Sequence, residues 1–259
     1  MKSPLVSVII NCHNGQKYLT RCINSILNQT YKNFEIIFYD NLSTDRSFEI
    51  VKSYKDKRIK KFQSNKYLTL YKSRNYAIKK AKGKYISFCD TDDEWIKNKL
   101  QIQINFILKN KNTKILYSNF YAFNEKKKRK YLPHKLKLPS GYITQSLLNY
   151  YCIGILTTMI EKSIFKKYLF DPSYSIIGDY DFFIKLSMKY KIYSIQKPLA
   201  IYRIHENNFS LVKSELYISE LKRWIKKTSE LHLYKRYSIK TVKTNLLKLK
   251  VKALFRKYF

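Results

Sequence analysis

The chain has 259 residues, 45% of them hydrophobic, enough to bury a large core as one main domain with an appendage. Its 52 basic and 18 acidic residues leave a net charge of +34, which predicts attraction to phosphate-rich partners (nucleic acid, anionic lipid or nucleotide) unless the excess is compositional drift towards Lys. No stretch approaches the roughly 18 consecutive apolar residues of a spanning helix, and Asn11-Cys12-His13-Asn14 cuts the apolar run Leu5 to Ile10, so neither a signal peptide nor a transmembrane helix is expected.

In chain order, short apolar runs at Val6 to Ile10, Phe34 to Tyr39, Ile59 to Phe62, Tyr85 to Cys89 and Ile115 to Tyr117 read as buried strands. Helical spacing lies between them. Tyr18 to Asn28 puts Leu19, Cys22, Ile23, Ile26 and Leu27 on one face, and Tyr71 to Lys82 and Trp95 to Lys109 repeat the pattern. This alternation predicts an α/β fold with a mostly parallel, Rossmann-like sheet flanked by helices, and ligands beyond the carboxyl ends of its strands. The exits to inspect are Asn11 to Gly15, Asp40 to Asp45 and Asp90 to Glu94. A basic loop, Lys126 to Lys130, opens a mixed region ending near Ser210. The rest, Leu211 to Phe259, has no Gly or Pro, reads as helical, and carries 14 Lys/Arg against 3 Glu, a net +11. Cys12, Cys22, Cys89 and Cys152 form no C-x-x-C pair and are expected as buried free thiols of a reducing cytoplasm.

Three clusters carry chemistry. Cys89-Asp90-Thr91-Asp92-Asp93-Glu94 sets four carboxylates at a strand exit in a chain poor in acids. Such hard oxygen ligands suit Mg²⁺ or Mn²⁺; the same acids suit the first turn of a helix, and both roles hold if the later ones cap while the earlier ones bind metal. Tyr39 to Asp45 offers polar side chains to a nucleoside base or ribose, or Ser43 or Thr44 as an N-cap. Ile177-Gly178-Asp179-Tyr180-Asp181-Phe182-Phe183 places two carboxylates at the start of an amphipathic helix.

In order along about 200 residues, these segments resemble the family 2 glycosyltransferases of the GT-A fold. Val6 to Ile10 with Asn14-Gly15-x-x-Tyr18-Leu19 is similar to the family's first strand and helix. Ser25-Ile26-Leu27-Asn28-Gln29-Thr30-Tyr31 followed by Phe34-Glu35-Ile36-Ile37 resembles its most recognisable stretch. Asp40 to Asp45 resembles the nucleotide-binding exit, Arg74-Asn75-x-Ala77-Ile78 the following helix, Gly83-Lys84-Tyr85-Ile86 the approach to the metal motif, Gly178 to Asp181 the base motif, and Tyr202-Arg203-Ile204-His205 the strand after it. The resemblance departs at Asn11, where Pro is usual, His13 for Tyr, Asn41-Leu42 for Asp-Gly, and Lys97 for Pro.

The resemblance implies inverting, hexosyltransferase-like transfer from a nucleotide-diphosphate sugar, UDP-linked by preference, to a glycan or lipid-linked acceptor, in surface polysaccharide, lipooligosaccharide or glycoconjugate synthesis. Asp179 is the expected general base; Asn11, His13, Asp40, Asn41, Arg74, Asp90 and Asp92 are expected to bind donor. Asp181 is expected at the acceptor or as a helix cap, and Asp92, Asp93 and His205 at Mn²⁺ or Mg²⁺. Residues 1–210 would form the catalytic domain (1–120 for the nucleotide sugar, 121–210 for the acceptor) and 211–259 a basic helical extension. Around Leu221 to Ile225 and Leu246 to Phe255 that extension combines apolar residues with lysines, so the enzyme is expected in the cytoplasm, peripherally on the inner membrane face. Two other readings are a basic nucleic-acid-binding protein, against which no helix-turn-helix, zinc or RNP pattern appears, and a relative that binds sugar nucleotides without transferring.

Overall fold

The computed structural model describes residues 3–230 and 236–258, and within them the chain forms nine strands, nine α-helices and two short 3-10 helices. Strands β1 (Val6–Cys12) and β2 (Phe34–Asp40) are buried along their whole lengths, as the apolar runs predict for central strands covered on both sides. The helix between them, α1 (Gln16–Leu27), drops Leu19, Cys22, Ile23 and Ile26 into the core. Next come α2 (Ser47–Ser53), β3 (Ile59–Gln63), α3 (Leu70–Lys80) and β4 (Tyr85–Phe88). β1 pairs in parallel with β2 and β4, and β3 adds in parallel to β2. Alternate residues feed two cores, Val6, Val8 and Ile10 into one and Ile9 into the other.

The polar residue inside β1 has a packing reason. The Ser7 hydroxyl donates to Glu35 Oε1 at 2.6 Å and accepts from Gly83 N at 2.8 Å, while Glu35 also accepts from Lys82 N at 2.6 Å. A Cβ on Gly83 would sit 2.5 Å from Ser7 N, so only glycine lets the chain enter β4 here.

After β4 the structure departs from the expected helix at Trp95. Glu94–Trp95 forms a short strand, β5, antiparallel to β9 (Ile192–Ile204), and α4 runs only over Lys99–Lys109. The pairing wins because Glu94 and Trp95 take backbone partners from Ile201 and Ala200. Lys99, at the helix start, is fully buried with Nζ 3.7 Å above the Trp95 ring, and burial pulls its ammonium down to about 7. The acids of residues 90–94 therefore do not cap a helix.

The second half extends the same sheet. It contributes β6 (Ile115–Asn124), β7 (Arg129–Tyr131), α5 (Thr144–Asn149), β8 (Met159–Glu161), α6 (Gly178–Ser187) and β9, with strand order β3-β2-β1-β4-β8-β6-β9-β5 and β7 on β6. The mostly parallel α/β sheet matches the sequence expectation; β8 enters it antiparallel to both β4 and β6. All four cysteines are buried and free.

Helices α7 (Phe209–Val212), α8 (Ser214–Glu230) and α9 (Lys240–Tyr258) follow. The stretch Leu221 to Ile225, expected on a membrane, is instead packed: Leu221 and Trp224 are buried in the same core as α6, with Ile239 and Val242 beside them and Ile225 against it. Truncating a buried indole to Ala costs about 3–5 kcal/mol, so Trp224 on this face is part of the packed core. Of the extension, residues 231–235 and 259 lie outside the described residues. Among those described, no helix is long and apolar enough to cross a membrane.

Candidate active site

The loops after β1 and β2 are zipped together. Helix α1 has no side-chain cap on its N-cap residue, and the N–H groups leading into it are taken by the next loop: Asn14 N by Ser43 Oγ (3.0 Å), Gly15 N by Ser47 Oγ (2.9 Å) and Gln16 N, the first of the helix, by Asp45 Oδ2 (3.0 Å). Asn14, at φ 53°, returns the bond by accepting from Thr44 N at 2.8 Å. Ser43 therefore holds the loop that leads into α1, and Asp45 takes the first N–H of that helix; neither Ser43 nor Thr44 caps α2.

At the same exits two buried acceptors have no partner among the described residues, Asn11 Oδ1 and Asp40 Oδ1. Asn11 donates to Ser73 Oγ at 2.9 Å, and Asp40 Oδ2 accepts from Ser43 N and Gln63 Nε2. Orphaned buried acceptors are costly unless a ligand donor satisfies them. Asn41 is a correction. Its amide is closed on Leu68, donating to Leu68 O at 2.8 Å and accepting from Leu68 N at 3.0 Å, so both ends are engaged within the fold. Leu42 follows at φ 59°, a left-handed conformation where glycine would be at ease. His13 is exposed, anchored by Nδ1 to Asn41 O at 3.0 Å and edge-on to Tyr67 at 4.8 Å.

At the β4 exit the four acids disperse to different partners. Asp90 takes a 2.8 Å ion pair from Arg74, which is 2% exposed with its guanidinium 5.5 Å from the Tyr71, Phe88 and Phe170 rings. Asp92 Oδ2 lies 3.0 Å from His205 Nε2 and 3.4 Å from Asn208 Nδ2. Glu94 pairs with Arg203 and, at 3.6 Å, with Arg21. Asp93 is a second correction: it is buried and accepts from Arg203 N at 3.0 Å, so it anchors β9 instead of joining Asp92 and His205 at a metal. Burial pushes the Asp92 carboxyl up, with Asp90 adding to it; burial also pushes Asp93 well up, with Asp92 adding.

Among the described residues no group of three or more His, Cys, Asp or Glu forms a metal cage. The residues present still fit Mg²⁺ or Mn²⁺. Asp92 and His205 are close enough to share one ion, and such ions are often held by one or two protein ligands with substrate phosphate and water completing the shell.

Asp179 stands in the first turn of α6. Its Oδ1 accepts from Tyr180 N at 2.8 Å and lies 3.3 Å from the Tyr71 hydroxyl, itself 2.8 Å from Ile176 O. A Cβ on Gly178 would come within 2.5 Å of the Tyr71 ring, so the glycine before the acid is what lets the two meet. Burial raises the Asp179 carboxyl against the opposing field of Arg74. Asp181, two residues on, is the third correction: it is buried, accepts from Trp224 Nε1 at 3.1 Å and pairs with Lys185 at 2.5 Å, so both its oxygens are engaged inside the fold. Arg74 thus pairs with Asp90 and its charge acts on Asp179, Asp92 pairs with His205, and Asn41, Asp93 and Asp181 are engaged by Leu68, Arg203 and Trp224. Sequence reasoning missed Tyr71 and Asn208; Tyr71 read as one more apolar residue of a helix, and nothing in Asn207-Asn208 signals contact with Asp92.

A family model described as glycosyl transferase family 2 matches residues 7–169. The chain belongs to glycosyl transferase family 2 and is a glycosyltransferase, and the family replaces the nucleic-acid-binding reading. It is 31% identical over 188 residues to the UDP-Glc:alpha-D-GlcNAc-diphosphoundecaprenol beta-1,3-glucosyltransferase WfgD of Escherichia coli, covering 73% of this chain and 71% of that protein. With an uncharacterised glycosyltransferase of Methanocaldococcus jannaschii it shares 34% over 228 residues, 83% of this chain and 77% of that one. Among solved structures, TarS 1–349 of S. aureus in complex with UDP-GlcNAc superposes with a TM-score of 0.70 at 21% identity, over 83% of this chain and 65% of that chain, which shows the shared GT-A fold.

Proposed function

We propose that the chain transfers a hexose from a UDP-sugar to a hydroxyl of a lipid-linked or glycan acceptor in surface-glycan synthesis, with inversion, using Asp179 as general base and a divalent ion at Asp92 and His205. One observation carries the reading. Arg74, buried among aromatic rings, pairs with Asp90 of the acid cluster while its charge acts on Asp179, so the donor-phosphate side and the base side share one cation. The UDP preference and the lipid-linked acceptor are supported by what the names of WfgD and the TarS complex state of those proteins.

Asp179 takes the proton as the acceptor oxygen attacks the anomeric carbon and the bond to the nucleoside diphosphate breaks. A single displacement inverts that centre, through an oxocarbenium-like transition state. His13 and Tyr67 offer an aromatic platform for the base, and the free oxygens of Asn11 and Asp40 accept from base or ribose. When bound, Mn²⁺ or Mg²⁺ supplies positive charge to the departing diphosphate. In this reading 1–120 serves the donor, 121–210 the acceptor, and 211–259 is the extension. Thermal unfolding with a panel of nucleotide sugars, with Mn²⁺ or with chelator, tests the donor. A uridine nucleotide at a hundred times its Kd adds about 2.7 kcal/mol of stability. Stabilisation by metal and uridine nucleotide together is expected, and stabilisation by purine nucleotides alone would overturn it.

A membrane surface remains a partner for α9 only. Leu247 and Val251 are 63% and 44% exposed, and Lys243, Lys248 and Lys250 are exposed beside them. Salt-sensitive cosedimentation with anionic vesicles, lost in a Leu247→Ser, Val251→Ser variant, is the expected result and supports a place on the cytoplasmic membrane face. Binding unchanged in that variant would remove the membrane from the account.

A further inference from the structure

The loop from Asp171 to Ile177, which leads into the base, has no regular structure, and its backbone groups need partners from elsewhere. One face of α8 supplies them. The buried Glu220 accepts three consecutive N–H groups, Ser175 at 2.6 Å, Ile176 at 2.9 Å and Ile177 at 3.1 Å. Three and four residues on, Arg223 donates to Ser173 O at 2.6 Å and lies 4.7 Å from the Tyr174 ring, and Trp224 donates to Asp181 and meets Tyr180 edge-on at 4.9 Å. Lys227 closes the row on Asp171 at 2.9 Å.

These attachments straddle Asp179 on both sides. The middle one reaches it through few bonds: Glu220 holds Ile176 and Ile177, the Ile176 carbonyl faces the Tyr71 hydroxyl, and that hydroxyl faces the Asp179 carboxylate. A helix kept only to cover the core would need Leu221 and Trp224 and no buried carboxylate. An unpaired buried carboxylate is expensive, so Glu220 is accounted for by the three N–H groups it fixes.

We infer that α8 is part of the catalytic unit, a clamp that sets the base, and that Glu220 is a positioning residue for transfer. This inference rests on Asp179 being the base. Misplacing a reacting group by about 1 Å costs up to 10²-fold, so Glu220→Ala is expected to lower kcat between about 10- and 100-fold. Donor binding, made at the far side of Arg74, stays within about twofold, and Glu220→Gln, which keeps an accepting oxygen, recovers part of kcat.

The test uses the full chain. UDP release from UDP-glucose, to water and to a GlcNAc-diphospholipid, gives the rate; calorimetry with UDP and Mn²⁺ gives donor affinity; amide exchange at Ser175, Ile176 and Ile177 reports the loop. Trp224→Phe, which keeps an aromatic ring in the core and loses the bond to Asp181, stands in if Glu220→Ala does not fold, with the same expected split. Faster exchange with lost kcat and unchanged UDP affinity supports the clamp. An inactive Asp179→Asn beside a Glu220→Ala or Trp224→Phe enzyme of wild-type rate overturns the clamp alone. An active Asp179→Asn overturns the base reading beneath it.

Discussion

Asp179→Asn is expected to lower the transfer rate by about 10²- to 10⁴-fold while leaving the fold and UDP affinity nearly unchanged. Asparagine is close to isosteric, and its oxygen keeps the contacts with Tyr180 N and the Tyr71 hydroxyl. It also removes a carboxylate whose ionised form burial disfavours, so no loss of stability follows. What it removes is the lone pair that receives the acceptor's proton. Asp181→Asn is expected to behave oppositely, weakening the join between α6 and α8 at Trp224 and the pair with Lys185 within α6, with a smaller effect on rate. Steady-state kinetics beside thermal unfolding separates the two. An active Asp179→Asn with a folded but dead Asp181→Asn would move the base two residues along the helix.

The second large effect belongs to Asp92. Asp92→Ala is expected to weaken Mn²⁺-dependent UDP binding by at least the 10- to 100-fold that losing even an outer-shell partner of a metal costs. His205→Ala moves affinity in the same direction. Asp93→Ala, by contrast, orphans the Arg203 N–H in a buried site, at a cost of about 1–3 kcal/mol of stability, and is expected to spare donor affinity in whatever protein remains folded. Calorimetry with UDP and Mn²⁺, repeated with chelator, checks all three. Wild-type affinity for UDP in excess chelator would contradict the metal's role, and an Asp92→Ala enzyme that binds normally would contradict this ligand.

The parallel half of the sheet was legible because buried strands leave uninterrupted apolar runs and the helices between them leave a helical stripe; β1, β2, α1 and α3 fall where those periodicities put them. The acid cluster at the β4 exit stood out because polar residues interrupt an apolar run there, whereas Asp179 and His205 were singled out through the family resemblance, and the roles of all three are the proposals tested above. The failures share a cause, partners far away in sequence. Asn41 is consumed by Leu68, Asp93 by the backbone of Arg203, and Asp181 by Trp224, and no local spacing announces those contacts. The helix expected from Trp95 fails for the same reason, since β5 exists only because β9 lies beside it. Trp224 and Leu221 read as an interfacial stripe because an amphipathic helix looks alike whether its apolar face meets lipid or a core.

The most direct test of the central claim is a transfer reaction with UDP-hexoses, Mn²⁺ and a synthetic GlcNAc-diphospholipid, the product's anomeric configuration being read by nuclear magnetic resonance. Transfer from a UDP-sugar with inversion at the anomeric carbon, abolished by Asp179→Asn, is the predicted result. A product that retains the donor's configuration, or UDP binding with no transfer from any UDP-hexose, would contradict the account.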